Sequence, residues 1–170
     1  MRNFKFLAVA ALSAALAAIA VSSIAGAATT VNDSDLDGSA GRRRVVRVVE
    51  RAITDAVVDV GPAGDSLGDV LAFGNPIFDA DNAEEIGRDQ GYCIRTNIGL
   101  AWECNWTVIL DRGSITVEGP FNDDLSDSQL AITGGTGAYR AARGEMTLHA
   151  RNAAGTEFDF VYHLVLGDDD

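Results

Sequence analysis

The sequence predicts an all-β fold, an eight-stranded antiparallel up-and-down β-barrel around a central cavity. Three observations carry this prediction. From residue 44 onward, nearly every segment alternates apolar with polar residues or is rich in β-branched side chains. Clusters of turn-forming residues separate these segments at short intervals. Beyond the first 27 residues there is no long amphipathic helical pattern. Eight short strands with tight connections suit a barrel or a sandwich. A meander closes most simply, because each strand pairs with its sequence neighbour. Closure leaves no exposed edge, and the interior of such a barrel holds one small ligand.

In chain order, residues 1–27 read as a signal peptide. Arg2 and Lys5 form a basic start, an apolar run extends from Phe6 to Ala20, and Ala25-Gly26-Ala27 supplies the small-x-small cleavage pattern. The apolar run is short for a membrane span of about 20 residues. Export to an extracellular location is therefore expected, with no stable membrane insertion after cleavage. Residues 28–43 form a flexible polar lead-in. The barrel domain occupies 44–167, and 168–170 are an acidic tail.

The predicted strands are 44–58, 66–78, 86–97, 100–110, 113–121, 127–134, 144–152 and 157–166. The turn signals between them are GPAGD, DADNAE, IG, DRG, NDDLSD, GTGAYRAAR and AAGT. In AITGGTGAYRAARGEM (131–146) a Gly-Gly-Thr-Gly run suggests a phosphate loop, but no Lys-Ser or Lys-Thr follows and the next element is a strand. Its glycines are expected to serve backbone geometry at a barrel corner, with Tyr139 and Ala142 plugging that end.

Charge narrows the partners. The chain carries a formal net charge of -12. Removing Arg2 and Lys5 takes Lys+Arg from 13 to 11 while Asp+Glu stays at 25, so the mature charge is -14. Such a surface repels nucleic acid and anionic lipid. The one basic run, Arg42-Arg43-Arg44, reads as a solvated segment rather than a nucleic-acid patch. The expected partner is a small apolar ligand or substrate.

The two cysteines, Cys93 and Cys104, flank Ile98-Gly99. A two-residue hairpin turn there sets them directly opposite each other, within reach of a disulfide, which an exported protein forms by default. His149 and His163 are the only histidines, and no metal-ligand spacing occurs. No metal and no cofactor are implied.

Alternation in the first strand puts Val46, Val48, Glu50, Ala52, Thr54 and Ala56 on one face, and Arg47, Arg51 and Asp55 on the other among Val45, Val49 and Ile53. The first face is the more apolar, and its one ionisable group is Glu50. Pointing inward, Glu50 is a carboxylate in a dry cavity, with a pKa raised by desolvation unless partners stabilise its charge. It is the candidate acid or electrostatic stabiliser. A position near the rim, or a pairing with an arginine, is the alternative for Glu50. Val48, Ala52, Tyr92, Trp102, Trp106, Phe160 and Tyr162 are the candidate cavity-lining residues, although aromatics at strand spacing are more often core.

Much of 44–166 resembles the allene oxide cyclase barrel, within the superfamily that includes the plant dirigent proteins. The segments that carry the resemblance are SLGDVLAFGNPIFD (66–79), IGRDQGYCIRT (86–96), GSITVEGPF (113–121) and, most specifically, LAITGGTGAYRAARGEMTLH (130–149). The resemblance implies an eight-stranded barrel with a central apolar cavity and assembly as homodimers or homotrimers. The plant cyclase closes an unstable fatty-acid-derived epoxide, assisted by a buried glutamate and a bound water. Glu50, in V-V-E, resembles that glutamate. Where the family has an asparagine two residues on, this chain has Ala52. Cys93, in G-Y-C, resembles the cyclase's cavity cysteine, here expected in a disulfide. Dirigent proteins steer reactive phenolic intermediates. The shared implication is an isomerase-type, cofactor-free cyclisation inside the barrel. A non-catalytic carrier of lipid or metabolite, and a structural secreted domain, are the alternatives.

Overall fold

A computed structural model describes residues 41–167. The signal-peptide reading of 1–27, most of the lead-in and the acidic tail lie outside the described residues. Ten strands form one antiparallel sheet: β1 (Arg42–Arg51), β2 (Ala56–Val58), β3 (Val70–Phe73), β4 (Pro76–Phe78), β5 (Glu85–Asn97), β6 (Ala101–Leu110), β7 (Gly113–Asn122), β8 (Ser128–Gly135), β9 (Arg143–Ala150) and β10 (Glu157–Leu166). Their order is β2-β3-β5-β4-β1-β10-β9-β8-β7-β6, and β5 also pairs with β6. The sheet thus closes on itself through eight strands, with β2 and β3 carried as a flap on β5.

Sequence and structure differ chiefly in the first two predicted strands, each of which breaks in two. The hairpin between them persists with a gap: Glu50 opposes Ile77 across β1 and β4, and Val57 opposes Leu71 across β2 and β3. In the gap the Asn75 side chain replaces the missing ladder. Its Oδ1 accepts from the Ile53 and Thr54 amides at 3.0 and 2.9 Å and from Thr54 Oγ1 at 3.0 Å. Thr54 Oγ1 accepts in turn from the Gly74 amide at 2.8 Å. Pro76 brings no amide hydrogen to this point, so a continuous ladder is not available there.

Residues 66–69 were expected to open a strand and instead form a turn. Asp69 accepts from the Ser66 amide at 2.8 Å and the Val60 amide at 3.0 Å. Such local side-chain bonds compete directly with strand pairing. The turn is tied to β5 by backbone bonds from Gly68 to the Arg95 carbonyl and from Arg95 to the Asp69 carbonyl.

Alternation holds elsewhere. Phe158, Phe160, Tyr162 and Leu164 all point inward from β10 and are buried, as are Trp106 and Val108 from β6. One close approach requires glycine. Gly91 lies opposite Trp106 in the β5–β6 ladder, where an added methyl group would collide with the Trp106 backbone and Cβ. At the far end, Gly137 adopts φ +56° in a short 3-10 turn, Gly137–Tyr139, and Ala138 donates to the Arg112 carbonyl at 2.8 Å. Tyr139 and Ala142 are fully buried there. The glycine-rich run therefore closes a barrel corner.

Candidate functional site

The strand break that Asn75 bridges also gathers the buried carboxylates. Glu50 sits at the inner end of β1, 5% exposed, and Asp89 on β5 is fully buried. Asn75 Nδ2 donates to Glu50 Oε1 at 2.9 Å and to Asp55 Oδ1 at 2.8 Å. The Asn75 backbone exchanges bonds with Asp89: its amide donates to Asp89 Oδ1 at 2.9 Å, and its carbonyl accepts from the Asp89 amide at 2.9 Å. One residue thus fixes three acids from two strands and a loop.

The electrostatics follow from this crowding. Burial pushes the Glu50 carboxyl well above the usual carboxylate range, the Asp89 charge adds to it, and the Asn75 amide offsets part of it. Burial likewise raises Asp89 to about 6, tempered by a hydrogen bond from Glu50. Among the described residues, Asp89 Oδ2 has no well-formed hydrogen-bond partner. Burial and the charge of neighbouring carboxylates raise the proton affinity of both carboxyl groups. Tyr162 packs nearby. Burial and then the Asp89 charge push its phenol far up, and the Trp106 indole partly offsets this. Neither the Tyr162 hydroxyl nor Trp106 Nε1 has a well-formed hydrogen bond to protein.

Glu50 and Asp55 line a cavity of about 350 Å³. Ligand sites span roughly 300–1,000 Å³, so this one suits a small molecule. Its aromatic lining is Phe73, Trp106, Phe121, Phe158 and Phe160, and the Cys93–Cys104 disulfide lines it too. Asp123 and Leu125 from the β7–β8 loop and Ala154–Gly155 from the β9–β10 loop also line it. Asp123 is held by Arg95 Nη1 at 2.6 Å. Arg95 also pairs through Nε with Asp65 at 2.6 Å and lies 3.9 Å above the Trp102 ring.

The candidates read from the sequence are thus distributed unevenly. Glu50, Trp106, Phe160 and both cysteines line the cavity. Cys93 and Cys104 oppose each other in the β5–β6 ladder, as the hairpin register required, and are bonded with a Cα separation of 3.9 Å. Val48 and Tyr162 are buried in the core, and Ala52 packs against it; none of the three reaches the cavity. Trp102 is buried beneath Arg95 instead of lining it. Tyr92 is a clear correction, at 49% exposed: its neighbour Cys93 points inward, and the two-residue period then turns Tyr92 outward.

Asp55 is the second correction. Alternation through 44–58 put it on the outer face, but Ala52–Asp55 leave strand geometry, the count of two is lost, and Asp55 turns to the cavity beside Glu50. Asp89, Asn75 and Asp123 were missed outright. Asp89 had a signal, because it lies four residues before Cys93 and so shares its face. Asn75 and Asp123 had none, since each sits where the chain leaves regular alternation. Among the described residues, no group of three or more His, Cys, Asp or Glu side chains is arranged to hold a metal ion.

The sequence model of the family described as "Dirigent-like protein" matches residues 36–166. Solved structures share the fold. A pyocyanin demethylase superposes with a TM-score of 0.61 at 25% identity, covering 70% of this chain and 100% of that one. A pterocarpan synthase dirigent protein superposes with a TM-score of 0.64 at 16% identity, covering 78% and 100%. An exo-specific intermolecular Diels-Alderase gives 0.54 at 17% identity, covering 73% and 98%.

Proposed function

The chain belongs to the dirigent-like family, and from that premise we propose that its barrel binds a small, largely apolar molecule and promotes its stereoselective cyclisation without a cofactor. The single observation that carries this reading is a buried carboxyl group, Glu50, beside Asp89 at the wall of an aromatic cavity, where burial raises its proton affinity. A carboxyl group that retains its proton near neutral pH is matched to general-acid work.

The division of labour follows from the geometry. The aromatic wall holds a flexible molecule in one folded shape, which lowers the entropic part of the barrier. Glu50 gives its proton, or a strong hydrogen bond, to the oxygen on which negative charge develops. Asp55, held by Asn75, supplies negative charge to a developing cation beside it. Asn75 and Asp89 touch no ligand and act as positioning residues for Glu50. Relatives of this fold include a pterocarpan synthase dirigent protein and a Diels-Alderase, and those names support ring closure as the class of reaction. The signal-like N-terminus and the disulfide support action outside the cytoplasm.

The test is native mass spectrometry of the protein purified from its own source, to identify a co-purified small molecule, followed by incubation with its open-chain precursor. Ring closure that requires Glu50 supports the proposal. Retention of ligand with no turnover in either wild type or Glu50→Gln assigns the barrel to a carrier role.

A further inference from the structure

The lining of the cavity is one-sided in charge. Among the described residues, three carboxyl groups reach it, from Glu50, Asp55 and Asp123, and no arginine or histidine does. The guanidinium that holds Asp123, that of Arg95, is itself shared with Asp65, so that trio carries a net negative charge. Aromatic rings line the same cavity. Trp106 and Phe160 lie 5.5 Å apart between ring centroids, and Phe121 and Phe158 lie 5.8 Å apart. An aromatic ring presents a negative face to a cation. The chain as a whole, at -12, attracts cations and repels anions.

We infer that the cavity selects small planar organic cations, such as a protonated amine on an aromatic ring or a charged heteroaromatic ring, over neutral or anionic molecules of the same shape. This rests on the reading of the cavity as a ligand site and narrows the chemistry of its occupant. A flat ring packs against the aromatic lining of the cavity, and its positive charge meets the Asp55 and Asp123 carboxylates. Both carboxylates are already oriented, the first by Asn75 at 2.8 Å and the second by Arg95 at 2.6 Å, so neither needs to be ordered by the ligand. An anionic molecule would face three acids, with no arginine or histidine among the described lining residues.

Equilibrium dialysis of the whole protein against three ligands of one shape tests this: 1-methylquinolinium, 1-methylnaphthalene and 1-naphthoate. The expected order is cation, then neutral, then anion, with the cation about tenfold tighter than the neutral compound. Asp55→Asn keeps an oxygen for Asn75 to donate to and so preserves the fold; it should cut the cation's advantage several-fold and leave the neutral compound unchanged. Equal or tighter binding of 1-methylnaphthalene overturns the charge selection and leaves the ligand-site reading standing. A cation preference that Asp55→Asn and Asp123→Asn both leave intact also overturns it, because the selectivity then lies outside the cavity. No binding of any of the three overturns both readings.

Discussion

The carboxamide of Asn75 hydrogen-bonds to the Glu50 carboxyl at 2.9 Å across a gap of 25 residues in sequence, at the one place where the β1–β4 ladder lapses. The same side chain completes the backbone of Ile53 and Thr54. A structural repair and a functional contact are thus made by one residue. Asn75→Ala would leave two amides and two carboxyl groups short of partners, and is expected to cost about 3 kcal/mol. Asn75→Asp keeps the shape but adds a fourth carboxyl group. It should destabilise more at pH 7.5 than at pH 5, read from urea midpoints. Equal loss at both pH values would argue that charge crowding is not what Asn75 relieves.

Glu50→Gln removes the transferable proton but keeps the volume and supplies an amide that can donate to Asp89 Oδ2. Folding and ligand retention should survive. Turnover of the identified precursor should fall by about 10²-fold or more. A variant that turns over at the wild-type rate would leave Glu50 without a chemical role.

How much of this was legible in the sequence depends on local regularity. Where alternation runs unbroken, as in β10, a count of two puts Phe158, Phe160, Tyr162 and Leu164 on one face, and that face is buried; the cysteine register followed from one turn. Counting by two fails where the chain stops being a strand. Ala52–Asp55 and Gly74–Asn75 look like strand in composition, yet Asn75 offers the backbone a side-chain partner that ends the ladder. That break turned Asp55 inward. Asp123 reaches the cavity from a loop, whose direction no periodicity encodes. The acid pair needed a tertiary fact as well, since Glu50 and Asp89 lie on strands that never pair with each other.

The disulfide links adjacent strands and closes a loop with a sequence separation of 11. Chain-entropy arguments give such a short loop a stabilisation of about 3 kcal/mol or less. Both sulfur-bearing residues also form part of the cavity side. Cys93→Ala with Cys104→Ala should therefore lower the melting temperature and weaken ligand binding together, read by thermal unfolding with and without ligand. A drop in melting temperature with unchanged ligand affinity would confine the bridge to a structural role.

The acid pair sets the sign of a pH dependence. Burial raises Asp89 from its ordinary value to about 6 and Glu50 well above its own. Between the unfolded and folded values, the folded state binds more protons than the unfolded chain, so stability declines as pH rises. The contribution is whole below about pH 4, where both forms of the chain are protonated. It fades as pH climbs through about 6 for Asp89, and continues to fade at higher pH for Glu50. Asp69 and Asp124 act in the opposite direction: backbone amides hold the first below its usual value, and the Ser126 hydroxyl and amide hold the second, so their contributions are present above about pH 4 and fade below it. Wild-type stability in urea should therefore fall between pH 5 and pH 7.5. Asp89→Asn and Glu50→Gln each break the like-charge pair, and each should flatten that decline. Parallel profiles for wild type and both variants would mean that the two buried carboxyl groups do not set the decline.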